Sequence, residues 1–162
     1  MPRVQMDYFH PANTLFTVDR TVGRNAPNDR LDVLLVQFLL LLCTKNEISV
    51  PQLTVPRGLR VATPAAGVTT GAPARPRPQG NIYIDGFCGD QTIGFIEYFQ
   101  AMMQLKQVGA IELNGQVAPQ GTPAAKTMYM LNATLNALTK PWVLTQSDAF
   151  PQELNNSFYN YV

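Results

Sequence analysis

The sequence predicts a mainly α fold: three helices, a long Pro/Gly-rich insertion and small β pieces. Three observations carry that prediction. Apolar residues recur at helical spacing in three separate stretches, each opened by a start signal. One block, Pro51 to Gly80, holds six Pro and four Gly among 30 residues, a composition that cannot build a helix. The length, 162 residues of which 46% are hydrophobic, supplies one core rather than two.

Residues 1–21 read as an N-terminal arm, in which Leu15-Phe16-Thr17-Val18 is expected to pair with Trp142-Val143-Leu144-Thr145 as a small edge strand. Asn28 or Asp29 can cap the first helix, which runs to about Thr44 with Leu31, Leu34, Leu35, Phe38 and Leu42 on one stripe. Val33, Val36, Leu39, Leu40 and Leu41 fall outside that stripe. A helix apolar nearly all round is either central to the core or covered by something else, the C-terminal tail or a neighbouring subunit.

The insertion, 46–80, follows. Gly58-Leu59-Arg60-Val61 and Asn81-Ile82-Tyr83-Ile84 are strand-like and could pair as a hairpin. Arg57, Arg60, Arg75 and Arg77, with no acid among them, either meet an anion or are simply solvated. The second helix starts at Gly89-Asp90 and runs to about Lys106, burying Phe95, Ile96, Phe99, Met102 and Met103. Thr122-Pro123 announces the third, where a capping hydroxyl precedes a proline whose missing N–H costs nothing. Met128, Leu131, Leu135 and Leu138 form its stripe, and Lys140-Pro141 stops it. The domain proper is thus 22–140. The tail, 141–162, is apolar and aromatic without periodicity and is expected to pack on the domain or on a neighbour.

Charge excludes several partners. Only 14% of residues are charged, 12 basic against 11 acidic, so the net charge of +1 offers no cluster for nucleic acid or an anionic membrane. The single histidine, His10, rules out a site built on two imidazoles within one chain, and no cofactor or metal motif is present. Cys43 and Cys88 lack CxxC spacing; a bridge between them stays open. Met1 to Asp7 has no secretory pattern, so synthesis is expected in the cytoplasm. As a helix, Val33 to Cys43 would span roughly 16 Å against roughly 30 Å of hydrocarbon, too short to cross a membrane.

The most specific local pattern is Ile84-Asp85-Gly86-Phe87-Cys88-Gly89-Asp90-Gln91-Thr92, followed by Ile96 and then Phe99-Gln100. Physically it is a tight turn opening a helix: Asp85 accepts backbone N–H groups, glycines tolerate positive φ, and Asp90 or Thr92 serves the orphan donors of the new helix. A second version, Asn114-Gly115-Gln116-Val117-Ala118-Pro119-Gln120-Gly121-Thr122, leads into the third helix.

This arrangement resembles the peptidoglycan-binding-like domain family, small three-helix modules in which a D-G-x-x-G-x-x-T turn precedes a helix ending in Phe-Gln. Arg30 to Leu39, with its Val36-Gln37-Phe38-Leu39 run, is similar to the family's first helix, and Val22 to Asn28 to a Gly-rich lead-in. The resemblance covers about Val22 to Leu138. The insertion is longer than the family's usual connection, and Asn114 stands where Asp is typical.

The resemblance implies a non-catalytic module that binds the glycan or stem peptide of peptidoglycan, in a groove offered by Tyr83, Asp85, Phe87, Asp90, Gln91 and Asn114. The aromatic rings would present apolar faces to sugars, and the carboxylates would accept from hydroxyls or amines. A different class is a structural or adaptor subunit of a phage tail or contractile injection machine, contacting other subunits through the Val33–Leu41 face and the aromatic tail. A third is a cell-wall hydrolase using Asp85 with Asp90 or Glu97, which requires two carboxyls roughly 5–9.5 Å apart. Action is expected at the bacterial envelope or within a virion or secretion assembly.

Overall fold

A computed structural model of the chain describes residues 2–7, 10–45, 75–106, 111–122, 124–138, 148 and 150–158. These form strands β1 (Arg3–Asp7), β2 (His10–Thr17), β3 (Val22–Gly23) and β4 (Gln116–Val117), and helices α1 (Arg30–Lys45), α2 (Asp90–Leu105), α3 (Lys126–Leu138) and α4 (Gln152–Phe158). The fold is helix-rich with small β pieces. The three expected helices form within a few residues of their expected bounds, and α4 is an addition that its irregular apolar pattern did not announce.

The apolar girth of α1 has a plain cause. Val33, Leu35, Val36, Leu39, Leu40 and Cys43 are all fully buried, and α1 packs against α2, α3, α4 and β3. Each such side chain contributes roughly 1.5–3 kcal/mol when removed from water. The Val33–Leu41 face is therefore covered by this chain's own elements and is not a surface for other subunits. That expectation is corrected by counting sides: α2, α3 and α4 flank α1, and of residues 33–41 only Leu41 is left partly buried.

Two acceptors at the start of α1 tie the incoming chain down. The Asp29 carbonyl accepts the Val33 N–H at 2.9 Å, making Asp29 the cap residue. Asn28 does not cap. It sits at φ 56°, accepts the Gly23 N–H at 2.7 Å and donates to the Gly23 and Ala26 carbonyls, closing the loop before the helix. The buried Asp32 carboxylate accepts from the backbone N–H groups of Asp19 and Arg20 at 3.0 and 2.9 Å.

The β pieces are two separate antiparallel pairs. β1 and β2 pair with Val4 opposite Phe16 and Gln5 opposite Leu15, so Leu15-Phe16 finds its partner upstream. Its expected partner, Trp142 to Thr145, lies outside the described residues, as does Gly58 to Val61. Among the described residues Asn81 to Ile84 joins no ladder, and the Asn81 carbonyl accepts from Gln91 Nε2 at 2.9 Å. β3 pairs with β4, Val22 opposite Val117 and Gly23 opposite Gln116. Only glycine fits at 23, where φ is 122° and a Cβ would lie 2.0 Å from the Gly115 carbonyl oxygen.

One core gathers residues from both ends of the chain. Phe16 and Val18 from the N-terminal arm and Phe150 and Leu154 from the tail are buried with α1, α2 and α3. Phe150 stacks against Phe16 with centroids 6.1 Å apart and meets Phe38 edge-on at 5.0 Å. Arm and tail thus share the core of 22–140. Phe150→Ala is expected to lower stability by about 3–4 kcal/mol in urea unfolding, the cost of an aromatic removed from a packed core. A change under about 1 kcal/mol would show that the tail only lies on the surface.

Candidate functional site

The two turns that open α2 and α3 are built alike, each around a buried glutamine on the preceding helix. On α1, Gln37 donates through Nε2 to Asp85 Oδ1 at 2.9 Å, the Phe87 carbonyl at 3.0 Å and Thr92 Oγ1 at 3.1 Å. Its Oε1 accepts from the Asp85 and Gly86 N–H groups at 3.1 and 2.9 Å. On α2, Gln100 Nε2 donates to Asn114 Oδ1 at 2.9 Å, the Gln116 carbonyl at 3.0 Å and Thr127 Oγ1 at 3.0 Å, while Oε1 accepts the Gly115 N–H at 3.0 Å. In each turn the Asx oxygen also accepts from the N–H two residues on, Phe87 or Gln116, both at 2.9 Å.

The correspondence extends to the glycines. Gly86 (φ 74°) lies over Arg30 and Leu34, seven and three residues before Gln37; Gly115 (φ 66°) lies over Ile93 and Glu97, seven and three residues before Gln100. The chain therefore carries one helix-and-turn unit twice. A third buried amide, Asn132 on α3, grips Phe16 from both sides, accepting its N–H and donating to its carbonyl, each at 2.7 Å. Gln37 and Gln100 belong to the Val36-Gln37 and Phe99-Gln100 patterns of the sequence, but their role as the anchors of the turns, like that of Asn132, is visible only in the fold. The available signal was Gln37 as the only polar residue between Val33 and Cys43.

Five of the six expected site residues share the first turn and the start of α2; Asn114 does not join them. The second turn meets α2 at Gln100, eight residues past Thr92, about 12 Å along the axis. Asp85 and Asn114 hold their own turns, and Gln91 holds Asn81. Thr92 does not cap α2: its hydroxyl donates to the Phe87 carbonyl at 3.3 Å, and no side chain caps that helix. Tyr83, 68% exposed, and Phe87, 73% exposed, remain open to solvent together with Asp90. Thr122 donates to the Pro119 carbonyl, and α3 begins past it, with the Tyr129 N–H on the Ala125 carbonyl.

Charged neighbours of the turns are mostly paired. Arg30 donates to the Asp85 carbonyl at 2.6 Å and bridges to Glu153 at 2.9 Å on the surface, where such a pair adds little. Glu97 takes Arg24 at 2.6 Å and Arg75 at 3.5 Å, so Arg75 meets a carboxylate of this chain. Arg77 is exposed, and Arg57 and Arg60 lie outside the described residues. Cys43 and Cys88 are both free thiols, so the bridge left open by the sequence does not form. Burial pushes Cys43 up to about 12, and partial burial raises Cys88, the opposite of an activated nucleophile. Among the described residues no three His, Cys, Asp or Glu side chains are grouped to hold a metal ion.

A small open cavity of about 170 Å³ adjoins the second turn, lined by Glu112, Asn114, Ala124, Lys126 and Thr127. Comparison of the chain with protein-family models, curated proteins and solved structures finds no match.

The hydrogen bonds from the Phe87 N–H and from Gln37 hold the Asp85 carboxyl below the ordinary carboxylate value of 3.8. Its contribution to stability is thus complete above 3.8 and is lost as pH falls through the lowered value. Asp85→Asn copies the second turn, keeping an Oδ1 acceptor without a titrating group. The variant is expected to stay folded and to show a shallower loss of stability than the wild type between about pH 4 and pH 2, read from urea midpoints. Identical acid limbs would mean that Asp85 is not held in this way.

Proposed function

We propose that the chain is a non-catalytic binding module of the peptidoglycan-binding-like kind, with α1, α2, α3 and the two locked turns as its frame, acting on the bacterial wall. One observation supports this most: two large aromatic rings, Tyr83 and Phe87, stand more than two-thirds exposed at a turn that six hydrogen bonds hold in place, three donated by Gln37, two accepted by it and one within the loop. Apolar rings on a mobile loop gain little from meeting a ligand, because ordering the loop offsets the contact; rings on a rigid turn avoid that cost. A sugar's apolar face suits such rings, and a nearly neutral surface suits a ligand bound by stacking and hydrogen bonds. Asp90, exposed beside them, is left to accept from hydroxyls.

The carboxylates support binding over hydrolysis. A glycosidase needs one carboxyl with a raised pKa in a cleft. Asp85 is exposed, lowered and spent on its turn, while Asp32, raised by burial, is committed to the backbone of Asp19 and Arg20. The adaptor reading loses the free face of α1 that recommended it.

The test is cosedimentation with purified peptidoglycan sacculi. Saturable binding is expected from the wild type, with about tenfold weaker binding for Tyr83→Ala and for Phe87→Ala at unchanged urea midpoints, since both side chains are on the surface. Failure of the wild type to sediment, or indifference to both substitutions, overturns the reading and turns attention to a protein partner for the same two rings.

A further inference from the structure

The repeat allows the two turns to be compared atom by atom, and they differ at one hydroxyl. Thr92 accepts from Gln37 and passes its own proton to the Phe87 carbonyl. Its counterpart Thr127 accepts from Gln100 in the same way, but among the described residues its proton has no acceptor, although the residue is only 3% exposed. Thr127 lines the cavity beside the second turn. A buried hydroxyl with an unspent donor at a cavity wall asks for an acceptor in that cavity.

The rest of the lining states what kind. Lys126 and Glu112 carry opposite charges on the same cavity, and among the described residues neither takes part in an ion pair. The cavity also lies at the start of α3, where the first N–H groups and the helix dipole favour negative charge. Asn114, which also lines the cavity, has its Oδ1 committed to Gln100 and Gln116. A volume of about 170 Å³ equals roughly five or six waters of liquid volume, the size of one amino-acid residue.

We infer that this cavity binds a small zwitterion of amino-acid type, its carboxylate held by Lys126 and the Thr127 hydroxyl and its ammonium by Glu112. The site goes beyond the aromatic surface proposed above and shares no side chain with Tyr83 or Phe87. Two sources share the chemistry, a free amino acid and a short peptide with both ends unblocked.

Titration of the ¹⁵N-labelled full chain separates them, following the amide signals of Asn114, Lys126 and Thr127. The probes are alanine, alanyl-alanine, N-acetylalanine and alanine amide. Saturable shifts are expected with alanine or alanyl-alanine, and blocking either end of alanine should weaken binding about tenfold. Alanine binding at least as tightly as the dipeptide assigns the site to a free amino acid; the reverse assigns it to a peptide. Lys126→Gln should abolish discrimination against the amide, and Glu112→Gln discrimination against the acetylated probe. Both positions are exposed, so both variants keep the fold. The absence of saturable shifts from both unblocked probes, or variants that discriminate like the wild type, overturns the inference. Neither outcome bears on sacculus binding through Tyr83 and Phe87.

Discussion

A carboxamide sealed beneath a turn has two donors and an acceptor to satisfy without water, and in this protein it satisfies them by fixing the turn. Gln37 reaches Asp85, Gly86, Phe87 and Thr92 at once, and Gln100 does the same for Asn114, Gly115, Gln116 and Thr127. Glutamate could not replace either, because an ionised carboxylate has no donor for the carbonyl and the Asx oxygen. Leaving any member unpaired would cost about 1–3 kcal/mol per buried group, so the network holds as a whole or opens as a whole.

The consequence is a chain of helices locked at their joints. α1 holds the turn that starts α2, α2 holds the turn that leads to α3, and Asn132 on α3 returns to the backbone of Phe16 at the end of β2. The apolar core supplies most of the favourable free energy, yet apolar packing is tolerant of small shifts. The amides are not, and they define where each loop sits. The surface features follow from that: between the exposed Tyr83 and Phe87, Ile84 packs against the core and Asp85 is tied to Gln37.

The repeat also divides labour. The first turn carries aromatic side chains at the positions where the second carries Glu112 and Gln116. Gln116 pairs with Gly23 of β3 and donates through its side chain to the Arg24 carbonyl just past it at 2.7 Å, while among the described residues no strand pairs with Phe87. A unit duplicated within one chain thereby presents exposed aromatic rings at one copy and an exposed carboxylate and a strand-paired glutamine at the other.

Helix positions were legible in the sequence, because amphipathic spacing and start signals act locally: α1, α2 and α3 lie where their stripes of leucine, phenylalanine and methionine put them. The Asx-Gly turns were legible for the same reason, since positive φ and an i+2 acceptor concern neighbours only. What the tertiary structure alone decided was partnership. The pairing of Leu15-Phe16 with β1, the burial of the outer side of α1, the seating of Phe150 on Phe38, and the reach of Gln37 across 48 residues to Asp85 depend on segments far apart in the chain. The candidate site followed the same division: Asp85, Gln91 and Asn114, expected to face a ligand, make internal ties, because a polar side chain's sequence does not say whether water or the fold will satisfy it.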